Sequence, residues 1–354
     1  MRLLITAQAV DLDDPVLGFF HNWVKEFSDY FESVHVICLK EGRHNLPANV
    51  FIHSLGKRPL QGFPLDSKGN PWITRIKYIW RFYKYIWKLR KEHNAVFAHM
   101  NQEYVLMGGL LWRIMGKRVV LWRNHKMGSF LTIIAGGLSN TVCHTSPSAY
   151  VEQFKNAVKM PIGIDTEMFK PRGSAAPNSI LFLGRLDAVK RPQTLLQALE
   201  ILAKREVAFT ADIVGDPTPG RESFANDLKE RFSLVPNVTF KPAVRNDEAA
   251  AVYNAHSIYV NLTPSGSFDK TIGEAMASGC IAVVGNEAMR GVLPDEFLVD
   301  VNSAESVLEG IQSAMKMDAE NRKKLTTKLR KHIVEQHSLP LLVDRLVGLY
   351  KPKV

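Results

Sequence analysis

The sequence predicts two doubly wound, parallel-sheet α/β domains. Three observations carry that expectation. The chain has 354 residues, and a single hydrophobic core rarely grows past about 250–300 residues. Short apolar runs that read as strands buried on both faces alternate with amphipathic helical segments, the rhythm of βα units in a parallel sheet. A Pro-, Gly- and Ser-rich stretch, "MPIGIDTEMFKPRGSAAPNS" (160–179), separates two such alternations and reads as the connection between domains. The expected division is 1–162, 163–335 and a terminal amphipathic helix within 336–354. Open α/β sheets bind ligands beyond the carboxyl ends of their strands, so both domains are expected to present those ends to a common cleft.

The second half is the clearer one. Strands are expected over "SILFLG" (179–184), "FTADIVG" (209–215), "NVTFKP", "SIYVNL" (257–262) and "CIAVVG" (280–285). Between them lie the helical segments "RPQTLLQALEILAKR", with Pro192 in its first turn, "ESFANDLKERF" and "NDEAAAVYNAH". A further helix opens at Lys270 or Thr271 and stops at Gly279. In the first half, strands are expected over 2–7, 33–39, 95–98, 118–122 and 140–143. Helices are expected near 19–30, 72–92, 103–115 and 146–155.

Composition narrows the class. Hydrophobic residues make up 46% and charged residues 23%, a soluble globular profile rather than a disordered one. No apolar run reaches the ~18 residues that span a bilayer. The opening "MRLLITAQAVDLDD" meets acids early and reads as a buried first strand, not a leader. Cys38, Cys143 and Cys280 stand apart with no C-x-x-C pair, so they read as buried core residues in a reducing cytoplasm. The net charge of +10 suits nucleic acid, anionic lipid or phosphorylated small molecules, and charge alone does not choose among them. Neither G-x-G-x-x-G after a strand nor a G-x-x-x-x-G-K-[ST] loop is present, which argues against nicotinamide and P-loop enzymes.

Two loops point to an anionic ligand. "SGSFDKTIGEAMASG" (265–279) leads into a helix N-terminus, where free N–H groups and the helix dipole favour anions. Thr271 and Glu274 fit a capping box. Alternatively, Glu274 is a carboxylate one turn into the helix that accepts hydrogen bonds from sugar hydroxyls. Lys270 adds a point charge. The second loop, "LFLGRLDAVKRP", leaves a strand at Gly184 and supplies Arg185, Lys190 and Arg191 before another helix. Arginine offers a fork for phosphate oxygens and lysine a point charge. Two electropositive βα loops in one sheet favour a diphosphate.

These residues resemble those of glycosyltransferase family 4, retaining enzymes of the GT-B fold. The resemblance rests on strand-Gly184-Arg185-x4-Lys190-helix, on Gly215-Asp216 after the next strand, and on the Ser-rich loop into "EAMASG". "MPIGIDTEMF" (160–169) is similar to the family linker P-x-G-[IV]-D-x-x-x-F. The resemblance implies a hexosyltransferase that needs no metal or other cofactor and takes a nucleotide-diphosphate sugar as co-substrate. It implies that Arg185 and Lys190 hold the diphosphate and offset the leaving-group charge, and that Glu274 bonds the nucleotide ribose. Ser267, Phe268, Asp269, Lys270 and Thr271 then touch the sugar and phosphate, with Gly184 beneath them, and Val244 and Arg245 flank the base. The family's first glutamate, eight residues before Glu274, is Gly266 here, so Asp269 is a candidate replacement. The terminal segment 336–354 is expected to cross back onto the first domain.

By the same resemblance, His125 lies near the reaction centre at a strand end, His99 ends the preceding strand, and Glu103 follows it. His125 is the first choice among them for a catalytic role. "DLDDPVLGFFHNW" (11–23) sits where the family has a glycine-rich loop; Gly18 remains on the donor side, and His21 is available to an acceptor beside Asp11, Asp13 and Asp14. Retaining enzymes of this class react on one sugar face, with the leaving phosphate helping to deprotonate the acceptor. Asp11-Leu12-Asp13 spells D-x-D, too short and too early in the chain to indicate a metal.

"PWITRIKYIWRFYKYIWKLRKEH" (71–93) is the most unusual stretch. Apolar residues at 73, 76, 80, 83 and 87 form a helical stripe that Trp72, Ile79, Phe82, Ile86 and Leu89 widen, with lysines and arginines filling the rest. It reads either as a buried domain helix with snorkelling cations or as a basic aromatic helix on an anionic membrane surface. The expected partners are therefore a nucleotide-sugar and a glycan or lipid-linked acceptor, the latter reached from the cytoplasmic face of a membrane. No nucleic-acid partner is expected, because that reading leaves both phosphate loops unexplained. The rival with most support is a catalytically degenerate nucleotide-sugar-binding protein, since Gly266 replaces a glutamate. Polysaccharide or glycolipid synthesis is the setting that the resemblance implies.

Overall fold

The computed structural model describes residues 1–14, 16–57, 71–264 and 268–351. The chain divides into two units, Met1–Met160 with Leu342–Val354, and Pro161–Leu341. Each is a parallel sheet wound with helices.

In the first unit, β1 (Arg2–Val10), α1 (Phe19–Tyr30), β2 (Ser33–Glu41) and β3 (Val50–Ser54) are followed by α2 (Pro71–Lys88) and β4 (Ala95–His99). Then come α3 (Gln102–Ile114), β5 (Arg118–Trp122), α4 (Phe130–Leu138), β6 (Thr141–His144) and β7 (Ala157–Lys159). The seven strands lie in the order β3-β2-β1-β4-β5-β6-β7, all parallel. β4 is buried along its whole length, as a strand covered on both faces must be. On one face of the sheet, Phe82, Ile86 and Leu89 from the α2 region, Val105 and Trp112 of α3 and Ala135 of α4 share one core with Val96, Leu121 and Val142. α2, α3 and α4 thus form one helical layer.

The second unit holds β8 (Ala176–Leu183), α5 (Pro192–Lys204), β9 (Thr210–Val214), α6 (Glu222–Arg231), β10 (Val238–Lys241) and α7 (Asn246–Ala255). It continues through β11 (His256–Asn261), α8 (Lys270–Ala277), β12 (Ile281–Val284), α9 (Ala304–Lys316) and α10 (Ala319–His337). Its five parallel strands run β10-β9-β8-β11-β12. α11 (Leu339–Tyr350) carries the chain back to the first unit, where the Tyr350 hydroxyl donates to the Val96 carbonyl at 2.9 Å and its ring meets Phe31 edge-on.

Several expectations need correction. β3 and β7 were not anticipated; both are short edge strands with no fully buried position. α4 was missed because "FLTIIAGGL" is apolar all round with two glycines, so it has no polar face to reveal its period. The helix expected over 146–155 is only a 3-10 turn, Tyr150–Gln153, after Pro147. Of the wide stripe expected in the α2 region, the flank holding Phe82, Ile86 and Leu89 is buried, while its centre at Ile76, Trp80, Tyr83 and Trp87 is exposed. The three cysteines are buried and free. Among the described residues no helix is long and apolar enough to cross a membrane.

Tyr350→Phe removes one buried hydrogen bond between the terminal helix and the sheet. It is expected to cost on the order of 1 kcal/mol, read as a lower urea midpoint; an unchanged midpoint would show that this contact does not anchor the helix.

Candidate active site

Strand order locates the site. From β8 the chain winds outward through β9 to β10, then returns to place β11 on the other side of β8. The loops leaving β8 and β11 therefore diverge, and the crevice of an open α/β sheet lies at such a reversal. Gly184 to Arg191 leaves β8, and the segment reaching α8 leaves β11. The two cationic loops read from the sequence are neighbours.

The side chains tie them together. Lys190 Nζ pairs with the Asp269 carboxylate across the two loops. The same carboxylate accepts from Asn261 Nδ2 at 3.1 Å, from the Thr263 hydroxyl at 3.0 Å and from the Thr271 hydroxyl at 3.0 Å. Burial alone would raise the Asp269 carboxyl, but the Lys190 charge and hydrogen bond, with Asn261 and Thr271, hold it well below the usual carboxylate range. Arg191, at the start of α5, has φ 51°, the left-handed region that non-glycine residues seldom occupy. That conformation lets Lys190 end a 3-10 turn and Pro192 begin the helix at once.

Arg185 is half exposed, with Nη1 3.7 Å from Asp187 and 3.4 Å from Thr218 Oγ1. Thr218 in turn donates to Asp187 at 2.6 Å. Gly184 and Gly215 end adjacent strands in close contact: a Cβ on Gly215 would stand 1.9 Å from the Gly184 carbonyl oxygen. The Gly215-Asp216 pair is thus a packing requirement beneath the Arg185 loop.

Glu274 is buried one turn inside α8 and accepts from the Tyr253 hydroxyl at 3.3 Å. Burial pushes its carboxyl up, against the pull of Lys270, Tyr253 and Asn246. Lys270 donates to the Gly163 carbonyl at 2.7 Å and lies 4.0 Å from Glu274; burial pushes its ammonium down, against Glu274 and Asp165. The expected capping box is absent. Asp269 is the N-cap, Thr271 bonds to it, and Glu274 turns inward. Phe268 is buried against His337. Val244 packs on the core, while Arg245, the N-cap of α7, forks onto Asp247 at 3.0 Å. Ser267 and Gly266 lie outside the described residues.

The first unit has its own reversal between β1 and β4, and the expected acceptor residues cluster beside it. His99 ends β4 and stacks on Phe20 with ring centroids 4.1 Å apart. His21 is buried; its Nε2 accepts from the Asn45 amide at 3.2 Å, and burial lowers its basicity. Glu103 is exposed in the first turn of α3. His125 is exposed in the loop after β5, its Nδ1 accepting from the Met127 amide at 3.0 Å. Gly18, the N-cap of α1, has an ordinary helical φ of −55°. Asp11 pairs with Lys40 at 2.9 Å and Asp13 with Arg43 at 2.7 Å. A cavity of about 400 Å³ lies beside this reversal, lined among others by Gln8, Ile79, Phe82, Asn101 and Glu103.

Asn261, Thr263 and Tyr253 escaped the sequence reading. The signal for Asn261 was there: a polar residue closing the apolar strand "SIYVN" has to be paired when buried. Tyr253 gave none, because an aromatic residue inside a helix reads as core.

Comparison with known proteins agrees with this geometry. Residues 177–317 match the family model described as Glycosyl transferases group 1, so the stretch bearing Arg185, Lys190, Asp269 and Glu274 is of that type. The two-unit parallel-sheet architecture is the GT-B fold. Among relatives, a D-inositol 3-phosphate glycosyltransferase of Paenarthrobacter aurescens (strain TC1) is 30% identical over 139 residues, 36% of this chain and 34% of that protein, so the match spans about a third of the relative. Sucrose-phosphate synthase from Thermosynechococcus elongatus superposes with a TM-score of 0.77 at 17% identity, covering 98% of both chains. Anabaena HepE in complex with UDP and glucose gives 0.75 at 15% identity, also over 98% of both.

Asp269→Asn leaves Lys190 without its opposite charge and is expected to cost on the order of 3 kcal/mol at neutral pH. The native carboxyl is held below its unfolded value of about 4, so its stabilisation is complete above that pH and fades as pH falls below it. The melting-temperature gap between wild type and variant should therefore close in acid. A gap independent of pH would sink the assignment.

Proposed function

We propose that the protein is a retaining hexosyltransferase that moves a sugar from a nucleotide-diphosphate sugar to a hydroxyl of a glycan or lipid-linked glycan. The observation that carries the reading is the meeting of Lys190 and Asp269 at the β8/β11 reversal, between two helix N-termini. In the reaction, the bond from the sugar's anomeric carbon to the diphosphate oxygen breaks and a bond to the acceptor oxygen forms on the same face. The acceptor proton passes to the leaving phosphate. Arg185 and Lys190 offset the charge that develops there, and the α8 N-terminus adds its dipole. Lys190 exchanges part of its contact with Asp269 for phosphate oxygens. Glu274 is assigned to the ribose, Val244 and Arg245 to the base, and His125 to the reacting sugar; Glu103 is the exposed acceptor-side group, while the buried His21 and His99 shape that sheet end from within. The cations and dipoles of the chain do the work that a metal would otherwise do, and no cofactor is called for.

The group 1 match over residues 177–317 supports this reading, as does the likeness in fold to a protein solved with UDP and glucose. We place the protein in the cytoplasm, in polysaccharide or glycolipid synthesis, with an anionic membrane surface as partner through residues 71–93. A second reading, a non-catalytic nucleotide-sugar binder, rests on Gly266 standing where the resemblance calls for a glutamate. Slow hydrolysis of one nucleotide-sugar without acceptor would exclude it.

A thermal-shift panel of nucleotides and nucleotide-sugars tests the donor site. A ligand at 100 times its Kd adds about 2.7 kcal/mol. Arg185→Ala, whose side-chain bonds are local and half exposed, should fold normally and abolish the shift. A shift that survives this change rejects the diphosphate assignment.

A further inference from the structure

The helical layer of α2, α3 and α4 in the first unit turns large apolar side chains outward. On α2, Ile76, Trp80, Tyr83 and Trp87 form one stripe at helical spacing, with Trp80 64% and Trp87 63% exposed. Beside it runs a parallel stripe of Lys77, Arg81, Lys84 and Lys88 at the same spacing. On α3, Leu110 and Ile114 are exposed. On α4, Phe130, Leu131, Ile133 and Ile134 are exposed, Phe130 at 74%, and the helix has no charged residue at all. Singly exposed apolar residues are ordinary; a layer of them marks an interaction surface. The helices are held side by side: the Tyr83 hydroxyl of α2 donates to the Met107 carbonyl of α3 at 3.1 Å, and Phe82 meets Trp112 edge-on.

Charge identifies the occupant. The three helices carry six lysines and arginines (Arg75, Lys77, Arg81, Lys84, Lys88 and Arg113) against one acid, Glu103. A second copy seated face to face would set like charges against like, since a two-fold interface presents the same patch from both sides. A nucleic acid would leave the uncharged face of α4 without a role. An anionic bilayer satisfies both halves: acyl chains take the apolar groups, the headgroup level takes the tryptophans, and the lipid charge takes the lysines. Lys84 already lies over the Trp80 ring and Arg90 over the Trp87 ring, an arrangement in which an aromatic body and a charged tip can enter an interface together.

We propose that the outer face of the α2–α3–α4 layer docks on an anionic phospholipid bilayer, with α4 as the inserted element and the α2 lysines on the headgroups. The proposal rests on the membrane-facing reading of residues 71–93 and extends it to two helices outside that stretch. The cavity beside Glu103 is lined by Ile79 and Phe82 of α2, so a lipid-borne hydroxyl would reach it from the docked layer.

The full chain is tested by flotation with phosphatidylcholine vesicles, with and without phosphatidylglycerol, at low and high salt, and by gel filtration over a range of concentrations. Binding to the anionic vesicles alone, weakened by salt, is the expected result. Lys77→Gln with Lys84→Gln should lower partitioning roughly 30-fold, each lysine contributing about fivefold. Phe130→Ser with Ile133→Ser, solvent-facing changes that leave the core intact, should lower it at least about tenfold. If the lysine pair matters and the α4 pair does not, the role of α4 is overturned while the membrane reading of 71–93 stands. Absence of binding overturns both. Concentration-dependent dimers that the α4 pair dissolves, without vesicle binding, would give the face to a second copy. None of these outcomes depends on the donor-site shift, which fails or succeeds separately.

Discussion

The reversal of winding between β8 and β11 is the constraint on which the candidate site depends. Every strand of the second sheet points the same way, so every carboxyl end lies along one edge. Most neighbouring loops along such an edge fold over their own strands in the same sense. At the reversal they part, and the chain there has only loop ends and helix N-termini to offer. That gap is where Lys190 and Asp269 meet. The N-termini of α5 and α8 flank that gap, and their dipoles favour the negative charge that Asp269 places there.

The same pair shows how a charged site is kept in a folded protein. A carboxylate buried alone is costly, yet Asp269 accepts from a lysine, an amide and two hydroxyls. Asn261 is what makes this network possible: the last residue of a buried strand, its amide reaches both Asp269 and Thr271 at 3.1 Å. Glu274 and Lys270 form a second, deeper layer in which each moderates the burial of the other. The close approach of Gly184 and Gly215 supplies the backbone floor. Site and fold are therefore the same set of contacts, and a change in one is felt in the other.

The first unit spends its hydrophobicity differently. Its core is complete with Phe82, Ile86, Trp112 and Ala135 facing inward, and the tryptophans and isoleucines left over face out. A helix can carry two apolar stripes only where each has somewhere to go. The inner stripe of α2 goes to the sheet; the outer stripe is flanked by lysines that no acid on the same helix answers. The interior position of His21 and His99, against the exposed Glu103 and His125, follows from the same packing: aromatic residues of α1 close over the end of β4.

The sequence by itself determined the parallel α/β class, the two cationic loops and the existence of a basic aromatic helix. Each of these is a local property, written in periodicity, turn residues and charge. Tertiary structure decided that the loops of β8 and β11 are neighbours, because strand order is set by long-range pairing and leaves no mark on spacing. It decided that Glu274 turns to Tyr253 and Lys270 rather than capping its helix, because the alternative partners come from α7 and α8 packed together. It also decided which stripe of α2 is buried. A helix with apolar residues on two faces has no local preference between them, and only the sheet against which it packs breaks the tie.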